Sequence, residues 1–94
     1  MEQNVRVYRG EVVEKPPALV DDREYRGVVL ADLDCRSIGR GSWTQCRAVI
    51  MLKGFLERFV IAYVHDMSIQ PCLAPGQKVT VVVSGSQALV EVVS

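Results

Sequence analysis

From Ser42 the chain runs Ser42-Trp43-Thr44-Gln45-Cys46-Arg47-Ala48-Val49-Ile50-Met51-Leu52-Lys53-Gly54. Further on comes Pro75-Gly76-Gln77-Lys78-Val79-Thr80-Val81-Val82-Val83-Ser84-Gly85. Each stretch is an apolar run of residues that suit a pleated sheet, and each ends at a glycine that can turn the chain. Two such runs separated by one amphipathic segment restrict the chain to small, mainly β architectures.

The flanking segments extend this pattern. Val5 to Glu14 begins with Val5 and Val7 opposed to Arg6, a half-buried strand, and Gly10 inside it marks a bulge or sharp bend. Lys15-Pro16-Pro17 ends that strand because proline cannot donate to a ladder. Tyr25 to Arg36 reads as a second strand, with Val28, Leu30 and Asp32 on one face and Val29, Ala31 and Leu33 on the other. Ser37 to Ser42, with Gly39 and Gly41, is a basic hairpin loop leading into a third strand over 43–52. Residues 78–84 and 88–93 form two more strands around the tight turn Gly85-Ser86-Gln87.

Residues 55–66 allow two readings. Phe55, Leu56, Phe59, Val60, Tyr63 and Val64 form a helical stripe, which predicts a helix. Phe59 to Val64 also consists of strand-forming residues, and a strand there would make Lys53-Gly54 the turn of a hairpin. With the helix, the expected fold is a five-stranded barrel with one helix between strands 3 and 4, a single domain over 1–94.

Composition narrows the class. At 49% hydrophobic and 23% charged residues the chain can fold around a core. It contains no apolar run long enough for a membrane helix, and Met1 to Arg6 do not resemble a signal peptide. A cytoplasmic protein without membrane contact is the simplest expectation. Cys35, Cys46 and Cys72 are an odd number, widely spaced, with no CxxC and with the lone His65 distant from all three in sequence. The expected role is that of buried structural thiols, with no metal and no cofactor.

The net charge is zero but unevenly placed. Residues 1–34 sum to −3. Residues 35–58 carry Arg36, Arg40, Arg47, Lys53 and Arg58 against Glu57 and sum to +4. Residues 59–94 sum to −1. A basic patch can hold phosphates, although a solvated surface accounts for the same arginines.

Five strands with one helix after the third is the order of the OB fold. The chain resembles bacterial single-stranded DNA-binding proteins and the related primosomal replication proteins. The resemblance lies in Tyr8-Arg9-Gly10 of the first strand and Val28-Val29-Leu30-Ala31 of the second. It continues in Trp43 with Val49-Ile50-Met51 and Lys53-Gly54 of the third, and in Pro75-Gly76-Gln77-Lys78-Val79 through Gly85 of the fourth. It implies an OB-like barrel that binds single-stranded nucleic acid.

Such binding needs aromatic platforms for bases and cations for phosphates. Trp43, Tyr25 and Tyr8 are the candidate platforms, and Arg36, Arg40, Arg47 and Lys53 the candidate cations. Strand alternation places Trp43, Gln45, Arg47 and Val49 on one face. The stripe Phe55, Phe59 and Tyr63 is better explained as core. Asp32 and Asp34 could approach a hard cation, but a solvated strand end is the plainer reading. His65-Asp66 are adjacent, so their side chains diverge, and no residue set points to catalysis. The alternative is an assembly barrel that binds no nucleic acid and forms homo-oligomers through the valine-rich segments 79–83 and 88–93.

Overall fold

The computed structural model describes residues 5–93. Six strands follow one another: β1 (Val5–Glu14), β2 (Glu24–Ser37), β3 (Trp43–Leu52), β4 (Phe59–Asp66), β5 (Lys78–Ser84) and β6 (Gln87–Val93). All pairings are antiparallel, and the sheet closes on itself in the order β1-β4-β3-β2-β5-β6.

The expected helix is a strand. β4 lies between β1 and β3 and pairs with both, and it turns Phe59, Ile61, Tyr63 and His65 inward at period two. The helical stripe was a coincidence of spacing: Leu56 is 95% exposed, and Phe55 packs in the turn before the strand. Pairing on two sides, with aromatic and β-branched residues on both faces, outweighs the 3.6-residue period. The barrel therefore has six strands and no helix among the described residues, in place of five strands and a helix.

The core lies inside the barrel and draws on every strand, including Tyr8, Ile50, Phe59, Val81 and Val90. Val79, Val81, Val83, Val90 and Val92 all point into it. Most of the valines in these segments thus go into packing, with Val82 half-buried and Val93 exposed, and closure leaves no described strand without neighbours on both sides. Gly10 sits where β1 crosses from β6 to β4, and a Cβ there would lie 2.9 Å from the Ala62 carbonyl oxygen and 3.2 Å from Ile61 Cδ1. Gly10→Ala should cost about 1–3 kcal/mol of stability, the usual price of overpacking, and urea unfolding would measure it.

Two departures from regular alternation shape β2. Register shifts against β3 fall between Val29 and Ala31 and between Leu33 and Arg36. Before the first, Val29 opposes buried Ile50, and after it Asp32 opposes buried Ala48, so both face inward. Asp32 therefore does not share the face of Val28 and Leu30. At the second, Asp34 and Cys35 together lie across from Cys46, and Asp34 takes a left-handed φ of 56°. Such bulges re-aim side chains, and aspartate is one of the few residues that tolerates that backbone.

The connection from β4 to β5, residues 67–77, closes this end of the barrel. Leu73 is buried, and its amide donates to the Tyr63 hydroxyl at 3.0 Å. The Tyr8 hydroxyl donates to the Pro71 carbonyl, and Gln70 Nε2 to the Val7 carbonyl at 3.0 Å.

Candidate functional site

The outer face of β3 follows from strand alternation. Thr44, Cys46 and Ala48 point inward, while Trp43, Gln45 and Arg47 point outward. Trp43 is 48% exposed. On β2, Arg36 opposes Gln45, and exposed Arg40 lies in the loop just before Trp43. Among the described residues, Arg36, Arg40 and Arg47 form no ion pair. A cleft of about 250 Å³ opens here, lined by Asp34, Cys35, Arg36, Gln45, Cys46 and Arg47. Beside Trp43, the Asp66 carboxylate accepts from Ser42 Oγ and from the amide and hydroxyl of Ser68. Those hydrogen bonds, Ser42's first, hold it below the usual carboxylate range.

The other three candidates lie elsewhere. Tyr8 is 1% exposed, with its ring edge-on to Tyr63 at 5.4 Å, and cannot stack on a base. Tyr25 begins β2 at the far end, half-buried, with its hydroxyl accepting the Val20 amide and its ring edge-on to Phe55. Lys53 follows the far end of β3, roughly 30 Å along the strand from Trp43. It borders a larger groove of about 650 Å³ floored by Val28, Met51 and Val79. One end of β3 thus gathers Trp43, Arg36, Arg40 and Arg47 and leaves out Tyr8, Tyr25 and Lys53.

Directly inside that face is a cluster the sequence spacing did not reveal. Asp32 and Cys35 of β2, Cys46 of β3 and Cys72 of the 67–77 connection place their ligand atoms within 4.8 Å of one another. Cys46 Sγ is 3.4 Å and Cys35 Sγ 3.7 Å from Cys72 Sγ. All three cysteines are free; Cys46 is buried, Cys72 half-buried, and Cys35, expected in the core, is exposed as a residue although its sulfur joins the cluster. The Tyr63 hydroxyl donates to Asp32 Oδ2 at 2.6 Å, and Asp32 Oδ1 is buried without a partner.

Crowding away from water favours the neutral forms of Asp32, Cys35 and Cys46. Burial raises the Asp32 carboxyl above its ordinary range despite the Tyr63 hydrogen bond, and it raises the Cys35 thiol. Burial also pushes Cys46 up to about 11. A bound cation reverses this preference, since coordination deprotonates a thiol outright. The neighbouring His65 stacks on Tyr63, with Nε2 3.1 Å from Met67 Sδ and Nδ1 unpartnered, and burial lowers its pKa.

The only sequence signals for this cluster were three cysteines and an acid-rich strand end. The register shifts that unite them cannot be read from spacing. Comparison with family models, curated proteins and solved structures returned no match for this chain.

Proposed function

We propose that this barrel is a binding module for single-stranded nucleic acid, with the outer face of β3 as its platform. The observation that carries this reading is the outward row Trp43, Gln45 and Arg47, with Arg36 alongside and Arg40 at its end. A half-exposed indole beside unpaired guanidiniums offers stacking and phosphate contact together. Closure of the barrel leaves no described strand edge open for pairing, and five of the valines of β5 and β6 point inward, so ligand binding is the better-supported reading.

Trp43 is the single tryptophan, so its emission reports directly on this face. Oligothymidylate at low salt should quench it. If Arg36, Arg40 and Arg47 each meet one phosphate, log K should fall with log salt at a slope of about −2. The double substitution Arg40→Ala and Arg47→Ala should bring that slope to about −0.7 and weaken all sequences alike. Unchanged emission at low salt, or equal binding by the double variant, would rule the reading out.

A further inference from the structure

We propose that Asp32, Cys35, Cys46 and Cys72 bind one thiophilic divalent cation in a tetrahedral site, with zinc as the best fit. This does not depend on nucleic-acid binding.

The distances suit a metal better than a disulfide. A cation about 2.3 Å from each sulfur at tetrahedral angles sets its sulfurs about 3.8 Å apart. Cys35 and Cys72 stand 3.7 Å apart, and Cys46 and Cys72 3.4 Å, so small side-chain rotations complete the site. A disulfide needs sulfurs at about 2.05 Å and would join only two of the three. Three thiols and one carboxylate supply the four donors of a tetrahedral zinc site, each of a type that zinc accepts.

Asp32 is prepared as a ligand. One oxygen is fixed by Tyr63, while the other is buried among the thiols without a hydrogen bond of ordinary geometry. Buried polar atoms without partners are uncommon, and a cation among the three sulfurs would supply this one. The hydroxyl that orients Asp32 also accepts the Leu73 amide, next to Cys72. One tyrosine therefore holds ligands on two elements, the outer-shell arrangement that orients metal-binding groups. The left-handed Asp34 and the second bulge, in turn, set Cys35 opposite Cys46.

The donor set selects the ion class. Three sulfurs disfavour magnesium and calcium, and the carboxylate favours a borderline divalent ion over copper(I). Three thiolates and a carboxylate leave the zinc-bound site at −2, and Arg36 and Arg47 line the cleft beside Cys35 and Cys46 where that charge is offset. The same cleft gives an ion access from solvent.

The test titrates the reduced, metal-free full chain with cobalt(II), followed by zinc(II). Tetrahedral cobalt absorption in the visible and thiolate-to-cobalt charge transfer in the near ultraviolet should saturate at one equivalent and disappear as zinc displaces cobalt. Cys35→Ser, at an exposed position, and Cys72→Ser, in a connection, should each lose saturable binding while circular dichroism still shows the folded barrel. Absence of the bands in the wild type would overturn the proposal. So would bands that persist unchanged in both variants, because the metal would then sit elsewhere.

Discussion

Saturating zinc should raise the thermal unfolding midpoint of the reduced protein by roughly 15–30 °C. A ligand that binds only the folded chain, at a thousand times its dissociation constant, adds about 4 kcal/mol. For a domain of this size each kcal/mol moves the midpoint by about 4–8 °C. The four ligands belong to β2, β3 and the 67–77 connection, and only the folded barrel brings them together. The metal would tie the bulged end of β2 to the segment that closes the barrel. Calorimetry with zinc, with magnesium and with chelator measures the effect. Magnesium should do nothing, because it does not take a sulfur-rich site.

Tyr63→Phe and Asp32→Asn should move the metal-free protein in opposite directions and metal affinity in the same one. Losing the Tyr63 hydroxyl leaves the Leu73 amide without its acceptor and Asp32 Oδ2 without its donor. A group left unsatisfied on burial costs about 1–3 kcal/mol, and loss of an outer-shell partner weakens metal binding about 10–100-fold. Asp32→Asn removes an acid whose pKa burial has raised, while the amide oxygen can still accept from Tyr63. For such an acid the folded state disfavours the charged form. The penalty is therefore present above the raised pKa and disappears as pH falls below the ordinary value. Without metal, Asp32→Asn should be the more stable protein at neutral pH, and its advantage should vanish in acid. With zinc the order reverses, because the wild type alone supplies the fourth charged ligand. Chemical unfolding across pH, with and without zinc, gives all four comparisons.

What the residues revealed in sequence and what they concealed divide along one line. Five strand segments were visible because Val5–Glu14, the apolar run in β2, Trp43–Leu52 and the two valine-rich segments each carry a local signature bounded by glycine or proline. The outward placement of Trp43, Gln45 and Arg47 was visible for the same reason, since alternation along an uninterrupted strand is local. β4 was misread because Phe59, Val60, Tyr63 and Val64 satisfy a helical period, while its pairing with both β1 and β3 is a tertiary fact. Tyr8 looked like a surface platform because nothing in its neighbourhood signals that its hydroxyl reaches Pro71 from inside the barrel. The thiol cluster was hidden twice. Cys72 arrives through an irregular connection, and Asp32 turns inward and the exposed Cys35 brings its sulfur to the cluster only because two register shifts break the alternation of β2.

The shifts that hide the cluster also place it under the face that carries Trp43 and the arginines. Arg36 opposes Gln45 only because the second bulge absorbs the extra residue, and that bulge is what brings Cys35 across from Cys46. The metal ligands and the outer platform are thus two sides of the same irregular length of β2 and β3.

X-ray absorption at the zinc edge of the loaded, reduced protein tests the four-ligand centre most directly. Asp32, Cys35, Cys46 and Cys72 predict a shell of three sulfurs at about 2.3 Å and one oxygen at about 2.0–2.2 Å. A shell of nitrogen and oxygen alone, or one that keeps three sulfurs after Cys46→Ser or Cys72→Ser, would contradict it.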